Sequence, residues 1–282
     1  MILKSKLCDL HNDLITVEKF DSAKKYLQDN TKYLNTLVLA IWTTHTQYNN
    51  LEAIKKLIVS YKDLKMNTRL LFGIEDISFI DNDLEKISEL NPFYASLTWN
   101  YDNSLGGGAY GESGLTDKGK QVLNVLKKEN MVLDTAHLNE KTFWNCFESF
   151  SGLIINSHTC FSSITNHKRN INDQQTQAII SRGGIIGLSF VGEFLCKKSV
   201  PIIDDVISHI DFFVSKFGDT GICFGTDYYG TENLPQNLKK YSDISILVEK
   251  LYKMGYNKKT VERLFYKNFE NFLRFIDGTQ LI

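Results

Sequence analysis

The sequence predicts an α/β fold, a (β/α)8 TIM barrel, and three observations carry that expectation. Eight short runs rich in Val, Ile, Leu and Phe recur along 282 residues, separated by longer segments with helical periodicity. The runs are continuous rather than alternating, as strands buried on both faces of a parallel sheet must be. Several end abruptly in His, Asp or Glu, and a barrel builds its site from ionisable groups delivered to one end of its strands.

The first run, residues 7–13, closes on His11 and Asp13. Residues 36–42 form the second, and residues 69–75 the third, which closes on Glu75. Between those two, residues 51–64 place Leu51, Ile54, Leu57, Ile58 and Tyr61 on one helical face. The fourth run, residues 94–100, precedes Gly106-Gly107-Gly108, which lacks the Gly-Lys-Ser/Thr ending of a phosphate loop and reads as a flexible loop beside the site. A helix over residues 116–129 leads to the fifth run, residues 131–137, closing on His137. The sixth, residues 153–158, closes on His158. A helix over Asp173–Ser181 stops before Arg182-Gly183-Gly184, ahead of the seventh run at residues 184–190. A helix over Ile203–Phe217 precedes the eighth, residues 221–227, which closes on Asp227. Helices over residues 242–254 and 259–276 end the chain. No linker rich in Pro, Gly or Ser divides it, so residues 1–282 are expected to form one barrel domain.

Composition narrows the function. At 43% hydrophobic with three prolines, the chain can bury a large core. A formal net charge of −1 and basic residues only in short doublets provide no field for nucleic acid or an anionic membrane. A small-molecule substrate is expected instead. The five cysteines are odd in number and show no close CxxC spacing, which argues against a disulfide framework and for a reducing compartment. Cys8 and Cys223, inside apolar runs, read as small buried hydrophobes. Met1-Ile-Leu-Lys4 runs directly into the first motif and the C-terminus carries no hydrophobic tail, so a cytoplasmic location is expected.

His11, Asp13, Glu75, His137 and His158 carry the chemistry. Residues two apart on a strand share a face, so His11 and Asp13 are expected to project together onto one ion. Glu75 has two oxygens and can bridge two ions; His137 and His158 can hold the second. A single Asp or His at a strand end is usually a cap or a hydrogen-bonded core group. Five at one end of several strands would leave costly unpaired buried charge unless a cation joined them. A His/carboxylate set without Cys suits Zn²⁺ or Mn²⁺ with open positions for water. His45, His167 and His209 lie in a loop, a polar stretch and a helix, and read as surface or packing residues.

At these residues the chain resembles the membrane (renal-type) dipeptidase family of binuclear zinc peptidases, among the amidohydrolase-like barrels. The matching pieces include Asp9-Leu-His-Asn-Asp13, Gly73-Ile-Glu75, Leu97-Thr-Trp-Asn100, Gly114-Leu-Thr-Asp-Lys-Gly119, Leu133-Asp-Thr-Ala-His137, Asn156-Ser-His158, His167-Lys-Arg-Asn170, Gly183-Gly-Ile-Ile-Gly187 and Phe224-Gly-Thr-Asp-Tyr-Tyr-Gly230. They occur in family order and cover almost the whole chain. The resemblance implies a hydrolase with two divalent ions, in which His11 and Asp13 bind one zinc, Glu75 bridges, and His137 and His158 bind the other. It implies that Arg169 grips the carboxylate of a small dipeptide and that Asp227 handles the proton while a metal-bridging hydroxide attacks the peptide bond. It also implies a homodimer. Two departures stand out. The family often has a His after Leu-Thr, whereas here Trp99 and then Asn100 follow; either can donate a hydrogen bond to substrate, and neither carries charge. The family's Asp-Phe-Asp-Gly appears as Asp227-Tyr-Tyr-Gly230. The alternatives are another amidohydrolase-type reaction on N-acyl amino acids, lactams or lactones, and a barrel that has become a scaffold.

Overall fold

Eight parallel strands close on themselves in sequence order. They are β1 (Leu7–Asn12), β2 (Leu34–Trp42), β3 (Arg69–Glu75), β4 (Tyr94–Ser96), β5 (Val132–Asp134), β6 (Ile154–Thr159), β7 (Ile186–Leu188) and β8 (Ile222–Phe224). The computed structural model describes residues 6–80 and 84–279. The readings made above of residues 1–4 and of the C-terminal end lie outside the described residues. Among those described, no helix is long and apolar enough to cross a membrane.

Helices between the strands include Phe20–Asn30, Leu51–Lys62, Ile87–Leu90, Asp117–Lys128, Glu140–Ser149, Asp173–Ser181 and Ile203–Phe217. Ile244–Lys253 follows β8, and the chain ends through Lys258–Glu262, a π-helical turn at Arg263–Lys267, and Asn268–Thr279. Asn50, Thr116, Asn139, Asn172 and Asn257 each accept a backbone N–H at a helix start. The periodicity of the sequence missed Phe20–Asn30, which buries only Ala23 and Leu27, and Glu140–Ser149, whose aromatic residues blur the pattern.

The core has two layers. Outward-facing residues such as Leu37, Leu39 and Ile41 of β2 pack against the helices. Inward-facing Cys8, Leu10, Val38, Tyr94, Val132, Ile155 and Cys223 fill the barrel, and Phe269, Phe272 and Leu273 of the last helix plug its lower end. All five cysteines are free thiols. The glycine run at residues 106–108 is buried rather than open. Gly107 donates to Thr142 Oγ1, and Gly108 lies under the backbone of Trp99 and Asn100.

Two bulges shape the upper end of the barrel. Asp9 pairs with Leu37 and Asn12 with Leu39, so three steps along β1 answer two along β2. Asn156 pairs with Ile186 and Thr159 with Leu188, the same mismatch on β6. An extra residue lets two consecutive side chains face the axis. Leu10 and His11 do so on β1, and Ser157 and His158 on β6.

Candidate metal centre

The two bulges bring His11 and His158 together with ring centroids 3.9 Å apart. His11 therefore reaches the axis through a bulge, not through simple alternation. Asp13 lies beyond the end of β1, before the short helix Leu14–Val17. Its Oδ2 is 3.4 Å from His11 Nε2, so the expected pair does form. Glu75, the last residue of β3, lies two beyond Gly73, whose missing side chain leaves room for the Tyr94 ring; a Cβ there would sit 2.2 Å from Tyr94 Cζ.

Three expected strand ends turn out to be loops. β4, β5 and β8 stop at Ser96, Asp134 and Phe224, so Trp99, Asn100, His137 and Asp227 follow their strands. His137 and Asp227 have φ of 67° and 60°, a left-handed conformation that costs a side-chain-bearing residue energy and recurs at functional sites. Asp227 is held there by its N–H to His11 O at 3.1 Å.

All five expected ligands and Asp227 are buried and converge. Glu75 Oε1 lies 2.6 Å from His137 Nε2 and 3.8 Å from His158 Nε2, and its Oε2 is 3.8 Å from His11 Nε2. Asp227 Oδ1 is 3.9 Å from His11 Nε2. Two groups, His11–Glu75–His158 and His11–Asp13–Asp227, each have donor atoms close enough to share an ion.

Outer partners turn the imidazoles inward. Ser157 Oγ donates to Asp134 Oδ2 at 2.5 Å and so accepts from His158 Nδ1 at 2.8 Å, turning the His158 Nε2 lone pair toward the cluster. His11 Nδ1 faces Tyr94 Oη at 2.8 Å, and His137 Nδ1 donates to Asn100 Oδ1 at 2.8 Å. Asn100 thus orients a histidine. Asp9 joins β1 to the segment carrying Asp227: it accepts from Thr226 N and Oγ1 at 2.8 and 2.6 Å and from Tyr241 Oη at 2.6 Å. None of Tyr94, Asp134, Ser157 or Tyr241 was singled out from sequence; Asp134 and Ser157 lie inside quoted motifs, but their contacts depend on the bulge.

Charge in the cluster is strongly perturbed. Burial acts to lower His11, but Asp13, Glu75 and Asp227 outweigh it and push the imidazole up to about 10. Burial would raise Glu75, yet His137, His11 and Arg169 bring it down to about 2. Burial and the neighbouring Arg169 lower His137 to about 4, and burial together with His11 takes His158 well below the ordinary range. Burial and repulsion from Asp13 push Asp227 well above the carboxylate range.

The donor set fits divalent cations. His11 Nε2 and Asp13 Oδ1 are buried without a hydrogen-bond partner, and His137 and His158 bring Nε2 atoms within 3.0 Å of each other. His158 and His137 stay neutral, as ligands must, and the carboxylates that hold a proton on His11 supply the negative charge that a bound cation would balance in its place.

Asp13, Glu75, His137, His158 and Asp227 border a cleft of about 230 Å³ at the carboxyl ends of the strands. Trp99, Asn100 and Arg169 line it, together with Trp42 and Phe194, which sequence reading missed. Arg169 is buried, its Nη2 lies 2.7 Å from His158 Nε2, its Cζ sits 5.2 Å over the Phe194 ring, and its Nε has no partner. His167 flanks that loop, accepting from Arg169 N at 3.2 Å and stacking 5.0 Å from Phe194. His45 is exposed, whereas His209 is buried and bonded at both nitrogens, to Phe161 N and Leu195 O.

The family model for membrane dipeptidase, peptidase family M19, matches residues 4–281. The chain belongs to the membrane dipeptidase family. Membership implies a divalent metal, consistent with the ligand cluster. A relative described as an uncharacterized protein in the pqqA 5' region of Klebsiella pneumoniae is 26% identical over 204 residues, 66% of this chain and 75% of its own length. Among solved structures, an amidohydrolase from Pseudomonas aeruginosa superposes with a TM-score of 0.83 at 20% identity, covering 97% of each chain. A metallo peptidase from Rhodobacter sphaeroides, liganded with a phosphinate mimic of the dipeptide L-Ala-D-Ala, gives a TM-score of 0.80 at 16% identity over 96% of this chain and 99% of its own. Both have this barrel fold.

Proposed function

We propose that this chain is a dipeptidase with two divalent cations, zinc or manganese, that cleaves small dipeptides bearing a free terminal carboxylate. One observation carries the reading: a buried arginine with an unpaired Nε borders the same cleft as Asp13, Glu75, His137 and His158, four of the five convergent metal-type ligands. The mimic bound by the Rhodobacter sphaeroides peptidase is that of a dipeptide, which agrees.

His11 and Asp13 would hold one cation, His137 and His158 the other, and Glu75 both. When bound, the ions supply Lewis acidity, activating water and polarising the scissile carbonyl. Arg169 offers a planar fork to the substrate's α-carboxylate, which fixes the amide over the cluster. Because its Nη2 rests against His158 Nε2, Arg169 must leave that lone pair when the ligand set fills. Bound cations would offset the repulsion from Asp13 that raises Asp227, so that Asp227, beside His11 on the cleft wall, would accept the proton of the attacking water at its carboxylate and return it to the leaving amine. Asn100 acts through His137 rather than on the substrate.

The test is a hydrolysis panel of dipeptides, their C-terminal amides and N-acyl amino acids, with and without chelator. Dipeptide cleavage that chelator abolishes and added metal restores is expected. Cleavage of N-acyl amino acids alone would replace the reading with a deacylase.

A further inference from the structure

The cleft is built asymmetrically about the metal ligands. In a closed eight-stranded barrel β2 and β6 stand diametrically opposite. Trp42 ends β2, and Arg169 lies in the loop after β6, so the two border the cleft from opposite sides. Trp99, in the loop after β4, packs against Trp42 with centroids 5.1 Å apart and planes tilted by 43°, and lies 6.1 Å from His137. Tyr101 braces the outer edge of Trp99 at 6.5 Å. Val17, 58% exposed, adds an apolar group to the same lining. Trp42 Nε1 has no hydrogen-bond partner, so packing alone places that ring.

The charges are as one-sided as the aromatics. Among the described residues lining the cleft, every ionisable acid or base other than Tyr110 and Tyr229 belongs to the ligand cluster or is Asp227 or Arg169. Among these lining residues no charged group is left over to pair a charged substrate side chain. Such a side chain laid against the indoles would lose water without compensation.

Resting on the dipeptidase reading, we propose that Trp42 and Trp99 form a pocket selecting dipeptides whose amino-terminal residue is bulky and apolar or aromatic. An extended residue spans about 3.3–3.6 Å. With the terminal carboxylate on Arg169 and the amide over the cluster, the amino-terminal side chain falls on the β2–β4 side. Burying a Phe or Leu side chain there gains more than laying a well-hydrated lysine over an indole face. The acidic groups that would otherwise attract lysine are committed to the cations. The wall therefore favours Phe over Ala, Glu and Lys at this position.

Two measurements decide it. The first is kcat/KM for Phe-Ala, Leu-Ala, Ala-Ala, Glu-Ala and Lys-Ala on metal-loaded protein. A Phe-Ala to Ala-Ala ratio of tenfold or more is expected, since apolar pockets discriminate by about 10–200-fold per methylene-sized difference. Trp42→Ala and Trp99→Ala each lower that ratio, and Trp99→Phe restores most of it. A ratio on one sample is immune to partial unfolding or incomplete metal. The second is quenching of tryptophan fluorescence in the chelated protein, which binds without turnover. Half-maximal quenching is expected at a lower concentration of Phe-Ala than of Ala-Ala, with the difference lost in Trp99→Ala. Dipeptide hydrolysis with a ratio near one, or with Ala-Ala or Lys-Ala preferred, overturns the pocket and leaves the dipeptidase reading standing. Selective quenching by Phe-Ala without hydrolysis of any dipeptide supports the pocket and ends that reading.

Discussion

Ser157 Oγ on β6 donates to Asp134 Oδ2 on the neighbouring β5 at 2.5 Å, and this single bond sets which nitrogen of His158 faces the cleft. Asp134 also accepts from Ala136 N and Ser157 N, so its oxygens are saturated by donors while burial pushes its carboxyl upward. An amide at this position would offer hydrogens where the network needs acceptors. Asp134→Asn is expected to weaken metal binding by about 10–100-fold. Chelator competition measures this, and unchanged affinity in a folded variant would remove Asp134 from the account.

Gly230 tests how tightly the carboxylates are held. A Cβ there would lie 2.0 Å from Asp227 Oδ1 and 2.5 Å from Asp13 Oδ2. Gly230→Ala must therefore displace at least one of them. We expect kcat to fall more than tenfold while the circular dichroism spectrum stays that of the parent. Full activity would mean that the two carboxylates tolerate movement the cluster does not allow.

Arg169→Ala separates binding from chemistry. The variant should lose kcat/KM on dipeptides by about 100-fold or more, as a charge-assisted bidentate contact disappears, and lose far less on the C-terminal amides. Comparing the two substrate sets is the measurement. Equal losses on both would assign Arg169 to the ligand shell through His158 instead of to substrate.

His209 gives a pH signature away from the cleft. Burial holds it down to about 4, against the opposing pull of the Leu195 carbonyl and Asp205. Its folded value lies below its unfolded value, so the unfolded chain binds the proton first as pH falls. Stability is then full above about 6.5 and declines toward pH 4, by up to about 3 kcal/mol. Urea unfolding of the parent and His209→Gln at pH 7 and pH 4.5 checks it. The variant should show a flatter dependence; an identical slope would contradict it.

Much of this was legible in the chain. The eight apolar runs mark all eight strands because a parallel barrel buries both faces of each, which leaves continuous hydrophobic segments. His11, Asp13, Glu75, His137 and His158 were legible only as a set, because five ionisable groups ending such runs would leave costly unpaired buried charge unless they converged. The bulges were not, since a register mismatch belongs to two strands and neither sequence alone contains it. Thus His11 and Asp13 meet as expected, but through an extra residue and a turn rather than through alternation. Trp99, Asn100, His137 and Asp227 were placed on strands that end earlier, because an apolar run does not announce where pairing stops. Trp42, Tyr94 and Ser157 were invisible as site residues; only the closed barrel brings them beside histidines distant in sequence.

Five buried acidic and imidazole groups, His11, Asp13, Glu75, His137 and His158, would together hold two divalent ions beside Asp227. Metal content per folded chain, measured by elemental analysis after gel filtration and repeated on His11→Ala and His137→Ala, tests this most directly. The account predicts two equivalents of zinc or manganese in the parent and a loss in each variant. A parent chain that stays folded and takes up no metal under saturating conditions would contradict it.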